Sequence, residues 1–151
     1  MKKSILMGSL STLIIFILTS CDYNAAEIKR FDTKIKNYNY KFQLGLKPTG
    51  SGLYLKIDSL GTGRPIQLHD SIWVSYSLKL LSGKVIEIQK KPIGLPLTGL
   101  IKGWQEALYN MPIGSQLHCL VPPQLGYGQS GTDKIGKDKI LYFKMKVIDA
   151  K

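Results

Sequence analysis

A chain of 151 residues, 44% of them hydrophobic, can enclose one true core but hardly two, so an array of domains is excluded. Its formal net charge of +11 is strong, yet the basic residues are scattered (Lys29, Arg30, Lys34, Lys36, Lys90, Lys91, Lys134, Lys137, Lys139). No Arg-aromatic ladder joins them, which argues against a nucleic-acid partner and leaves the charge to govern solubility and encounter.

Lys2 and Lys3 precede an apolar segment over residues 5–18, and small residues lead into Cys21 through Leu18-Thr19-Ser20. A basic start, an apolar run too short to span a bilayer comfortably and small residues before a cut are the parts of an export leader. The stretch resembles the bacterial lipobox, in which the cysteine becomes the lipidated first residue of the mature chain. An uncleaved anchor or a cut near Ser20 would equally leave the domain outside the cytoplasm. The expected organisation is a lipoprotein signal peptide over 1–20, a lipidated N-terminus and spacer over 21–48, and a folded domain over 49–151.

The spacer carries Ile28, Phe31 and Ile35 at helical spacing, which leaves a helical tether and a helical docking segment both open. Beyond Pro48 short apolar runs are punctuated by Gly, Pro, Asp and Ser. Residues 52–58 read as a strand and 61–65 as a turn. The clearest strand is 72–80, where Ile72, Val74, Tyr76, Leu78 and Leu80 share one face at period two. A turn at Ser82-Gly83-Lys84 leads into a short strand over 85–88. Pro92 and Pro96 then interrupt any regular ladder, predicting a long loop over 88–99.

The spacing predicts one short helix over 103–110, with Leu100, Ile101, Trp104 and Leu108 along one side and Pro112-Ile113-Gly114 ending it. Strands follow over 116–121 and from Leu141 through Phe143, Met145 and Val147, with a loop over 124–139 between them. The expected class is α+β: an antiparallel sheet of about five strands wrapped over one short α-helix.

No nucleophile is paired with a base, and no Gly loop cradles phosphate. His69 and His118 lack ligand spacing and read as ordinary polar positions, so neither a metal nor a cofactor is expected. Cys119 alternates with Leu117 and Val121 and reads as a small buried hydrophobe. What remains is an aromatic and aliphatic theme at strand ends and loop bases.

That theme falls into an ordered set. Leu100-Ile101-Lys102-Gly103-Trp104-Gln105-Glu106-Ala107-Leu108, continued by Met111-Pro112-Ile113-Gly114, is similar to the Val-Ile-x-Gly-Trp-x-x-x-Leu…Met…Gly helix of the FKBP-type peptidyl-prolyl isomerases. Gly52-Leu53-Tyr54, Gly61-Thr62-Gly63, Val74-Ser75-Tyr76, Ser82-Gly83-Lys84-Val85-Ile86-Glu87, Pro122-Pro123-Gln124-Leu125-Gly126-Tyr127-Gly128 and Leu141-Tyr142-Phe143 resemble that family's other marks, in order, over residues 49–151.

The resemblance implies isomerisation of X-Pro bonds, with Tyr76, Glu87 and Tyr127 at the catalytic positions. Trp104 would be the floor of a groove walled by Ile86, Leu95, Leu100, Ile101, Ile135 and Phe143. The Ile101 N–H and the Tyr127 hydroxyl would hold the carbonyls flanking the proline. Substrates would be proline-containing unfolded or partly folded envelope proteins, met at a membrane through the lipid on Cys21. The chain departs from the pattern at Ile86-Glu87, where the family has Phe-Asp, and at Leu95, where it has Phe. It also has a shorter loop after Glu87 and no match for a loop histidine. Those departures carry the other reading, a catalytically weak or inactive binding or chaperone module of an envelope complex.

Overall fold

A computed structural model describes residues 23–151; the leader expected over 1–20 and Cys21 lie outside the described residues. The elements in chain order are α1 (Ala25–Lys41), β1 (Lys47–Pro48), β2 (Tyr54–Ser59), β3 (Ser71–Leu80), β4 (Val85–Pro96), α2 (Lys102–Leu108), β5 (Gln116–Val121) and β6 (Leu141–Ala150). Single 3-10 turns at Leu97–Gly99 and Pro123–Leu125 lead into α2 and out of β5. All six strands join one sheet in the order β1-β2-β5-β6-β3-β4, every pair antiparallel. The architecture is the α+β class expected, with the two-residue β1 added to the five strands.

The period-two alternation sorts the side chains between the two faces. Val74, Leu78, Leu117, Cys119, Val121, Leu141, Phe143, Met145 and Val147 meet α2 through Trp104, Ala107 and Leu108. α2 lies directly on the sheet because Gly103 has no side chain: a Cβ there would stand 2.5 Å from Val121 Cγ1.

The opposite face carries the helix left open for the spacer. Tyr54, Leu120 and Tyr142 point away from α2 and are covered by α1 through Phe31 and Ile35, both essentially inaccessible. Of the two readings open for the spacer, a helix docked on the sheet is the one observed. A capping box starts it: the Asn24 side chain accepts from the Glu27 N–H at 3.0 Å, and Glu27 accepts from the Asn24 N–H at 2.9 Å.

The predicted loop over 88–99 is corrected, since β4 extends to Pro96, although Pro92 does interrupt its ladder as expected. β4 is an edge strand, where a residue without an N–H costs least. Its register jumps from Val74↔Ile93 to Tyr76↔Gln89, so Lys90, Lys91 and Pro92 bulge out and Pro92 takes no place in the ladder.

Candidate active site

A cavity of about 160 Å³ opens between the sheet and the start of α2. β3 supplies Tyr76 and Leu78, whose neighbours in register are Met145 and Phe143 on β6. Glu87 stands opposite Leu78 on β4 and shares its face, which places the carboxylate at the rim. Leu95 closes the β4 side; Gly99, Leu100 and Ile101 form the lip that leads into α2; Tyr127 comes from the loop after β5.

Three rings make the floor. Trp104, 4% exposed, meets Tyr76 edge to face at 5.1 Å and 88°, and meets Phe143 likewise at 5.2 Å and 83°. Tyr76 and Phe143 complete the triangle at 6.4 Å. Edge-to-face pairs add roughly 0.5–1.5 kcal/mol each beyond area burial, so the three rings brace one another.

The lip is fixed from below. Gln105 Nε2 donates to the Leu100 carbonyl at 2.7 Å and to the Thr98 carbonyl at 3.2 Å. Ile101 is the N-cap of α2, and its carbonyl accepts from the Trp104 N–H at 3.0 Å. Its own N–H meets no acceptor among the described residues, as befits a donor preceding the first helical turn.

Electrostatics keep the phenols as donors. Burial, reinforced by the Glu87 charge and its side-chain hydrogen bonding, pushes the Tyr76 hydroxyl up to about 12. Burial and then the Glu87 charge raise Tyr127 as well. Both stay protonated at neutral pH and neither is poised as a nucleophile. Cys119 is sealed in the core, where burial drives its thiol far up, and His118 lies on the opposite face of the sheet beside Asp58. The cavity can therefore grip an apolar ring and offer a few neutral donors.

Eight of the ten side chains assigned to the groove by resemblance come together there: Tyr76, Glu87, Leu95, Leu100, Ile101, Trp104, Tyr127 and Phe143. Ile86 and Ile135 do not line it. A register shift between Leu78 and Lys79 leaves Ile86 as the extra residue of a bulge, half-buried against the core edge. Ile135 is packed into the core at 4% exposure. Leu78, Gly99 and the supporting Gln105 were not singled out from sequence. Leu78 was legible as a member of the inward face of 72–80; the other two carry no sequence signal of their own.

A family model for FKBP-type peptidyl-prolyl cis-trans isomerases matches residues 62–148, more than half of the chain. The chain belongs to the FKBP family. This FKBP chain is 37% identical over 132 residues to the peptidyl-prolyl cis-trans isomerase Mip of Coxiella burnetii, covering 85% of this chain and 55% of that protein. It is 30% identical over 125 residues to FkpA, an FKBP-type isomerase of Escherichia coli, covering 80% and 46% respectively. The chain thus spans about half the length of the curated relatives it matches. Among solved structures, FkpA from Escherichia coli superposes with a TM-score of 0.72 at 29% identity, covering 83% of this chain and 63% of that one. A peptidyl-prolyl cis-trans isomerase from Pseudomonas syringae pv. tomato gives 0.72 at 27% identity, covering 85% of this chain and 97% of that one.

Proposed function

We propose that this FKBP chain is a peptidyl-prolyl cis-trans isomerase of the bacterial cell envelope, exported and anchored through lipid on Cys21. Its substrates are unfolded or partly folded envelope proteins presenting X-Pro bonds. The observation that carries the reading is the cleft itself: an aromatic floor of Tyr76, Trp104 and Phe143 beneath the Ile101 N–H and the Tyr127 hydroxyl.

The barrier to rotating an amide is about 18–20 kcal/mol, because rotation breaks partial double-bond character. Uncatalysed X-Pro exchange therefore takes roughly tens to hundreds of seconds. The planar amide carries more charge on its oxygen than the twisted one does. A pocket that removes water without solvating that oxygen raises the planar ground state relative to the twisted form. The prolyl ring is held on the Trp104 indole by area burial, and no covalent step is needed. The Ile101 N–H and the Tyr127 hydroxyl hold the neighbouring carbonyls so that the chain turns about the reacting bond. Tyr76 gives its hydroxyl hydrogen to Glu87, which fixes the phenol at the wall.

The test is the cis-to-trans rate of a proline-containing peptide with catalytic amounts of the chain. Turnover that falls in Tyr76→Phe and Tyr127→Phe supports the assignment. A folded chain that binds the peptide without accelerating it would instead make the cleft a binding site, the role motivated by Leu95 standing where the family has an aromatic residue.

A further inference from the structure

The start of α2 lacks the usual cap. Its N-cap is Ile101, which has no side chain to bond the first turn; a Ser, Thr, Asp or Asn there would accept from an N–H of that turn. The holding group comes instead from Gln105, further along the helix, whose Nε2 donates to the Leu100 carbonyl at 2.7 Å and to the Thr98 carbonyl at 3.2 Å. Around the same junction the Leu100 N–H donates to the Leu97 carbonyl at 3.1 Å, and the Ile101 carbonyl accepts from the Trp104 N–H at 3.0 Å. Leu100 and Ile101 thus have both carbonyls and one N–H engaged, and the Ile101 N–H is left without an acceptor among the described residues.

The Leu100 carbonyl and the Ile101 N–H belong to one peptide unit. No described peptide bond is cis, so these two groups point in opposite directions across one rigid plane. Fixing the carbonyl toward the Gln105 amide therefore fixes the N–H away from it. Leu100 and Ile101 line the cleft, whereas Gln105 does not. A hydrogen bond accepted at the carbonyl also polarises the unit and strengthens the N–H at its far end as a donor. The second bond, to Thr98, ties the preceding turn to the same amide and keeps the plane from rotating.

We propose that Gln105 is a positioning residue for isomerisation: by holding the Leu100 carbonyl it aims the Ile101 N–H at a substrate carbonyl beside the proline. The inference rests on the isomerase reading above. The position calls for both the length and the donor of glutamine. Glutamate has the length, but its ionised carboxylate only accepts, so it repels the two carbonyls and lets the plane turn. Methionine has the length and an adaptable shape but no donor. Because Gln105 is only half-buried, neither replacement has to displace the core. The two substitutions therefore separate hydrogen bonding from packing.

The experiment compares the isotope-labelled chain with its Gln105→Met and Gln105→Glu variants, using one proline-containing peptide. It reads kcat/KM for cis-to-trans exchange and the movement of the Ile101 amide proton in NMR spectra as the peptide saturates the cleft. Urea midpoints on the same samples show which chains are folded, and Gln105→Met decides alone if Gln105→Glu does not fold. The expected result is a kcat/KM lower by about fivefold in Gln105→Met, the size of one weakened hydrogen bond, and lower still in Gln105→Glu. The downfield movement of the Ile101 proton on binding shrinks in the same order. Folded variants with wild-type kcat/KM would overturn the proposal. Lost turnover with the Ile101 movement unchanged would also overturn it, since Gln105 would then act elsewhere. A wild-type chain that binds the peptide without accelerating its exchange would overturn the isomerase reading instead, and the Ile101 movement would still decide whether Gln105 aims that N–H.

Discussion

Tyr76 stands edge to face on Trp104, centroids 5.1 Å apart, while Glu87 acts on its hydroxyl from the cleft rim. Ring and hydroxyl separate by substitution. Tyr76→Phe keeps the stack and loses the donor, so the unfolding free energy should stay within about 1 kcal/mol of wild type while kcat/KM falls roughly tenfold. Tyr76→Ala also removes the packing and should cost about 2–4 kcal/mol of stability. Urea unfolding and peptide isomerisation on the same samples check both.

Leu95 and Ile86 are both aliphatic where the family has an aromatic residue, but only Leu95 faces the cavity. Leu95→Phe adds aromatic area to the wall and should tighten binding of a proline peptide about fivefold. Ile86→Phe, on the bulge, should leave binding within twofold or so of wild type. Titration calorimetry with one peptide decides, and equal gains at both positions would move Ile86 into the site.

Gly103 sits where a side chain would collide with Val121. Helix propensity alone would favour alanine there by about 1 kcal/mol, whereas overpacking costs about 1–3 kcal/mol. Gly103→Ala should therefore be net destabilising. Adding Val121→Ala should recover part of the loss, giving a favourable coupling in a double-mutant cycle. A stabilised single variant would mean that α2 does not pack this closely.

His118 is nearly buried, and desolvation lowers its pKa from the ordinary 6.5, with Lys56 and Lys144 acting in the same direction and Asp58, 3.5 Å away, only partly opposing. As the pH falls through about 6.5 the unfolded chain takes up the proton first, so stability declines toward acid from that point. His118→Gln should flatten this decline between about pH 7.5 and pH 5.5. Urea midpoints across the range measure it.

The concave half of the domain was legible because its signals are local. Period-two runs in β3, β5 and β6 and the Gly-Trp helix each announce their own face, and together they bring Tyr76, Trp104 and Phe143 to one place. What was missed depends on partners distant in sequence. Pro92 reads as a breaker in isolation, and only its place in an edge-strand bulge opposite Ser75 lets β4 pass through it. α1 has a short apolar stripe that suits a tether as well as a docked helix; Tyr54, Leu120 and Tyr142, exposed on the far face without it, decide between them. Ile135 and Ile86 were assigned by position in a motif, and a turn and a bulge respectively carry their side chains out of the cleft.

The most direct measurement is the refolding of a test protein whose slow phase is limited by an X-Pro bond, with and without catalytic amounts of the chain. The expected result is a dose-dependent acceleration of that slow phase alone, reduced about tenfold in Tyr76→Phe. No acceleration by a chain shown to be folded, or acceleration undiminished in the variant, would contradict the assignment of this cleft as the site of isomerisation.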